Sequence, residues 1–133
     1  MIQEFHAKGG RGVGPFGDNL VLLSTTGARS GDQRTTPLMF HRDGERLIVI
    51  ASKGGAPDNP AWYYNLKAHP EAAVEIATDS GIATLDVRAR EAEGEERERI
   101  WTDRVAMAPG FGEYQKQTSR RIPVMVLEPI GKS

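Results

Sequence analysis

The chain has no cysteine, which excludes disulfides, zinc–thiolate centres and a cysteine nucleophile together. Its three histidines, His6, His41 and His69, are scattered without metal-ligand spacing, and no Ser/His/Asp grouping stands out. An excess of one charge is also missing. Lysine and arginine total 17 against 18 acidic residues, a formal net charge of -1. That balance argues against a general nucleic-acid binder, whose affinity would come from neutralised phosphates, but leaves room for a local basic pocket. The longest apolar runs, "LVLL", "LIVIA" and "VMVL", are strand-sized, far short of a membrane span. The opening "MIQEFHAKGG" lacks the apolar stretch of a signal peptide, so a soluble cytoplasmic protein is expected. Neither a metal nor a nucleic acid is expected as a partner.

What remains is ordinary for a folded domain. Hydrophobic residues make up 38% and charged residues 26% of 133 positions, enough for one domain, 1–133, with a continuous core. Residues 1–19 read as a short helix, with Ile2 and Phe5 on one face, and a glycine-rich connector, "GGRGVGPFG". Strands are expected over 20–24, 35–41 and 47–52, the last two joined by a tight Asp43-Gly44 turn. Pro60 suits the first turn of a helix over 61–68, with Asn59 as its cap. Strands over 73–77 and 83–89 follow, the second alternating at period two.

A charged helix, "EAEGEERERIWTDRVAMAP", then carries Glu93–Arg97 and Glu95–Arg99 at i,i+4, reads as a solvated face, and turns Ile100, Trp101 and Val105 inward. A short helix near 112–118 precedes a last strand, 122–127, whose Pro123 argues for a sheet edge. About six strands with three or four peripheral helices and no βαβ alternation imply a mainly β, mostly antiparallel barrel, an α+β fold.

Two loops carry the candidate chemistry. "GARSGDQR" holds Arg29 and Arg34 beside two glycines; taken alone, it reads as a hairpin with exposed arginines. "ASKGGAPDNPAW" adds Ser52, Lys53, Gly54 and Gly55 at a strand end, a hydroxyl, an ammonium and unhindered amides suited to an anion. The helix start at Pro60 contributes a partial positive charge. Together the loops suit one multiply anionic ligand, since arginine forks and a lysine point charge both bind phosphates and carboxylates. In "AWYYNL", Ala61, Trp62, Tyr63 and Asn65 offer a flat pocket for a ring, or else simple packing of helix on barrel. A chain so poor in catalytic side chains that still builds an anion site points to a cofactor that carries the chemistry.

"TTGARSGDQRTTPL", "ASKGGAPDNPAWYYNLKAHP" and "YQKQTSRRIPVMVLEP", in that order and over nearly the whole chain, resemble the deazaflavin-dependent nitroreductase family of actinobacteria. These are small split β-barrel oxidoreductases that use reduced coenzyme F420, an 8-hydroxy-5-deazaflavin with a phosphate and an oligoglutamate tail. The resemblance implies that Ala28, Arg29, Ser30 and Arg34 hold the phosphate region. It implies that Ser52, Lys53 and Gly54 wrap the ring and its linker, and that Ala61 to Asn65 line the deazaflavin. Pro37, Ala51, Gly55 and Phe111 complete the implied cofactor set, with Lys8 and Arg11 towards the glutamate tail.

Hydride would pass from C5 of the ring to an electron-poor small molecule: a quinone, an activated enone or lactone, or a nitroaromatic. Ser52 and Tyr114 are the catalytic candidates for the accompanying proton. An F420-reducing dehydrogenase is the indirect redox partner implied, and quinone substrates imply contact with the inner face of the membrane. One departure stands out. Where relatives that reduce bulky nitro compounds or quinones often carry a Tyr-Pro-x-Tyr-x-x-Tyr pattern, this chain reads "APGFGEY", with Ala108 and Phe111 in the first two tyrosine places and only Tyr114 kept. An FMN enzyme on a similar barrel and a non-catalytic cofactor carrier are the alternatives.

Overall fold

The computed structural model describes residues 2–12, 20–51, 59–78, 81–107, 109–116, 118 and 121–130. In chain order the elements are α1 (Ile2–Ala7), β1 (Leu20–Thr26), β2 (Gln33–Met39), β3 (His41–Asp43), β4 (Arg46–Ile50) and α2 (Ala61–Ala68). They continue with β5 (Glu71–Thr78), β6 (Gly81–Glu91), α3 (Gly94–Met107), α4 (Gly110–Lys116) and β7 (Val124–Pro129). The strands form one sheet in the order β2-β1-β5-β6-β7-β4-β3. Every neighbouring pair is antiparallel.

The expected strand over 35–41 breaks in two at Phe40, and its halves lie at opposite edges of the sheet. A single residue therefore joins the two edges, which forces the sheet to curl into a half-barrel. Phe40, only 8% exposed, belongs to the main core with Val21, Leu47, Val49, Trp62, Val74 and Met125.

Curling gives several strands two buried faces. In β1, Val21 and Leu23 point into the main core, while Leu20 and Leu22 pack with Phe5 of α1 on the outside. In β4 and β7, Leu47, Val49, Met125 and Leu127 face inward; Ile48, Val124 and Val126 pack with Ile100 of α3. Burial on both faces is why these strands appear as unbroken apolar runs, with no alternation to mark them. Strand β6 keeps a partly bare face, and its alternation is visible in the sequence.

Two local expectations are corrected. Strand β7 is no edge strand: it lies between β6 and β4. Pro123 is tolerated because it stands just before the strand, where its carbonyl accepts from Ala51 N–H at 3.0 Å and its missing donor is not needed. Helix α2 has Pro60 rather than Asn59 at its N-cap position, in extended conformation (φ -67°, ψ 156°).

The charged face of α3 docks on the sheet instead of facing water alone. Glu96 accepts from Arg90 of β6 at 2.6 and 3.0 Å and from Arg46 of β4 at 2.8 Å, spanning β7 between them. Arg99 reaches Asp43 of β3 at 3.0 Å. Arg97, expected to pair with Glu93 through its side chain, is buried, donates to Ile122 O at 2.8 Å and lies 4.8 Å from the Trp101 ring centre. Ile100 is buried, and Trp101 and Val105 are half-buried.

The bonds from Arg90 and Arg46 lower the Glu96 pKa from 4.5 to about 2. Its contribution is therefore complete above pH 4.5 and fades as the pH falls towards 2. Glu96→Gln is expected to lower the unfolding free energy by about 1 kcal/mol at pH 7, discounted for partial exposure of the cluster. Urea titrations should show the difference shrinking below pH 4.5, and a constant difference down to pH 2 would contradict it.

Candidate functional site

Strands β1 and β2 pair as far as Thr26 opposite Gln33, and the chain turns between them. Gly27 N–H donates to Asp32 O at 2.7 Å, Gly31 N–H to Gly27 O at 3.0 Å, and Asp32 N–H to Ser30 Oγ at 3.1 Å. Glycine matters at two positions here. A Cβ on Gly27 would come within 2.6 Å of Ser30 Oγ, and Gly31 has φ +75°. The turn leaves the amides of Arg29 and Ser30 without a partner among the described residues.

Helix α2 lies against this turn, and its 3.6-residue period divides it into three faces. Trp62 and Leu66 enter the core. Tyr63 and Lys67 turn to β6, where the Tyr63 hydroxyl donates to Glu91 Oε1 at 2.7 Å. Burial, and then the Glu91 carboxylate, raise the Tyr63 pKa to about 12. Ala61, Tyr64 and Asn65 face the turn and β2, enclosing a cleft of about 830 Å³ with Arg29, Ser30, Arg34, Thr35 and Thr36. The N-terminal end of α2 adds its partial positive charge at Ala61.

Arg29 and Arg34 are exposed and have no ion-pair partner among the described residues. Arg46, Arg88, Arg90, Arg97, Arg99 and Arg121 all have a carboxylate. An open cleft with a helix start, two guanidinium forks and two amides, all four without partners among the described residues, has the donors that an anion of more than one charge would need.

The other expected site residues are dispersed. Asn65 holds the turn: Ala28 N–H donates to its Oδ1 at 3.0 Å and its Nδ2 donates to Thr25 Oγ1 at 3.1 Å. Trp62 and Ala51 are core residues, and Pro37 is half-buried in β2 opposite Leu22. Lys8 pairs with Glu4 at 2.9 Å. Ser52, Lys53, Gly54 and Gly55 fall outside the described residues, as does Ala108. Gln33, Thr35 and Thr36 line the cleft without having been singled out in the sequence, and Tyr64, named there only within the span Ala61 to Asn65, lines it too. Its i,i+3 spacing from Ala61, which puts both on one helix face, is the signal that could have found it.

Phe111 and Tyr114 do not line this cleft. They sit on α4, ring centres 6.1 Å apart and edge to face, with Phe111 6.5 Å from the His41 ring. His41 opens β3, at the opposite edge of the sheet order from β2. No group of three or more His, Asp or Glu side chains suited to a metal occurs among the described residues. None of their helices is long and apolar enough to cross a membrane.

The sequence model of the F420H(2)-dependent quinone reductase family matches residues 1–129. An F420H(2)-dependent quinone reductase of Mycobacterium tuberculosis is 38% identical over 109 residues, 80% of this chain and 71% of that protein. A solved F420-H2 dependent reductase, FDR-A, superposes with a TM-score of 0.72 at 45% identity, over 83% of this chain and 94% of its own. A Listeria innocua protein assigned as a pyridoxamine 5'-phosphate oxidase shares the fold alone: TM-score 0.61, 18% identity, 85% of each chain. That fold is the split barrel.

His41 generates a test of the region around α4. Its Nε2 is buried and meets no hydrogen-bond partner among the described residues. Burial, and then the charge of Arg104, lower its pKa from 6.5 to about 4. The unfolded chain therefore takes up the proton more readily, and stability present above pH 6.5 is lost as the pH falls to about 4. His41→Phe is expected to flatten the stability profile between those values, measured by denaturant titration at stepped pH. A profile as steep as that of the parent would contradict it.

Proposed function

The chain belongs to the F420H(2)-dependent quinone reductase family, and from that premise we propose that it reduces quinones with coenzyme F420 held in the β1–β2 cleft. It is an F420H2-dependent oxidoreductase. The observation that carries the placement is the pair of guanidiniums, Arg29 and Arg34, in a cleft that also offers two amides, all without partners among the described residues.

The cofactor's phosphate and carboxylates match that donor set, with the two guanidiniums and the Arg29 and Ser30 amides as the phosphate cradle. Tyr64, 48% exposed, gives the cleft an aromatic wall. When bound, the reduced deazaflavin supplies the hydride. Reducing a quinone to its hydroquinone takes one hydride and one proton, so the chain's remaining tasks are to align the acceptor and deliver the proton. Tyr114, half-buried on α4 with its ring edge-on to Phe111, is the proposed proton donor. Activated enones and lactones, and nitroaromatics, are the further acceptors this chemistry admits. Contact with the membrane surface belongs to the same proposal, as the route to lipid-soluble quinones.

Arg34→Ala is expected to weaken F420 binding by about 1.5–3 kcal/mol, the worth of a hydrogen bond to a charged group, with the fold unchanged. Fluorescence titration of the cofactor measures this, and wild-type affinity in the variant would remove Arg34 from the site. Tyr114→Phe deletes one hydroxyl and keeps the ring. Cofactor affinity should hold while turnover with a quinone falls roughly 10²–10⁴-fold, as for loss of a general acid. Undiminished turnover would assign the proton to another donor.

A further inference from the structure

Asn65 is a polar side chain only 8% exposed, and both ends of its amide are engaged. Its Oδ1 accepts from Ala28 N–H at 3.0 Å, and its Nδ2 donates to Thr25 Oγ1 at 3.1 Å. Thr25 is itself 1% exposed and does not line the cleft. The turn's other backbone bonds close on the turn itself, from Gly27 to Asp32 and from Gly31 to Gly27. Asn65 thus makes the hydrogen bonds that tie the turn and the end of β1 to α2. With Ala28 engaged in this way, Arg29 and Ser30 are the residues whose amides remain for a ligand.

We propose that Asn65 is the positioning residue of the anion loop, and that its lack of charge is part of that role. The inference rests on the reading of the cleft as the cofactor's phosphate site. An aspartate would keep the geometry: one oxygen accepts from Ala28 N–H, and the Thr25 hydroxyl turns to donate to the other. It would also place a negative charge, poorly screened at this depth, beneath the bound phosphate. An alanine would release the turn without adding charge. The amide is the side chain that ties the loop down and leaves the positive field of Arg29 and Arg34 intact.

The test uses two readouts, hydrogen exchange at the Ala28 amide in the cofactor-free protein and F420 affinity by fluorescence. In Asn65→Ala, Ala28 exchange should rise and affinity fall, each roughly tenfold, the worth of one net hydrogen bond. In Asn65→Asp, exchange should stay at the wild-type rate while affinity falls roughly tenfold or more. Thr25→Val should behave as Asn65→Ala does, and Thr25→Ser as wild type. Should Asn65→Ala not fold, the Thr25 pair supplies the same contrast.

Unchanged Ala28 exchange in both Asn65→Ala and Thr25→Val would overturn the positioning role. Wild-type affinity in Asn65→Asp would overturn the role of its neutrality. If the Arg29→Ala, Arg34→Ala double variant loses the cofactor while Asn65→Asp keeps it, this inference fails and the cleft reading stands. If the double variant binds as wild type does, the cleft reading itself fails.

Discussion

Phe40 is the one residue between the two edges of a seven-stranded sheet, and the fold follows from that constraint. Edges this close in the chain cannot lie flat and far apart, so the sheet rolls. Rolling creates an interior that Trp62 and Leu66 of α2 help to fill. The helix that fills it then has a remaining face for the β1–β2 turn. Closure, core and cleft are consequences of one connection.

The division of labour among the charged residues follows the same geometry. On the α3 side, carboxylates and guanidiniums neutralise one another across β6, β7 and β4, and the result is mechanical: a helix fastened to a sheet. On the α2 side, Arg29 and Arg34 have no ion-pair partner among the described residues and stand at an exposed rim, where water screens them and the folded state bears little penalty. In the proposed reading, these two charges, set in a cleft with amides unpaired among the described residues, are the ones a ligand would match. Asn65 completes the arrangement by supplying hydrogen bonds without charge.

Much of this was legible in the sequence because it is local. The apolar runs, the Asp43-Gly44 turn and the 61–68 helix depend on neighbours in the chain, and they appear where expected. The mainly β barrel with outer helices was legible from the order of those elements, and three ordered motifs carried the family. What escaped depends on contacts distant in sequence. Whether Pro123 starts an edge or an interior strand is decided by β4 and β6, and the break at Phe40 by the closing of the sheet. The partners of Glu96 lie 6 and 50 residues away, so a count of i,i+4 pairs could not find both. Asn65 was expected to line a cofactor pocket, but its bonds to Thr25 and Ala28 appear only when the helix meets the turn.

The central claim is that the anionic part of the cofactor, seated between Arg29 and Arg34, supplies much of its affinity. The most direct measurement compares the binding of coenzyme F420 with that of the same deazaflavin ring and ribityl chain lacking phosphate and glutamates. The account predicts that the full cofactor binds at least roughly 100-fold more tightly at low salt, with the gap narrowing as salt is raised. Equal affinities for the two, unchanged by salt, would contradict it.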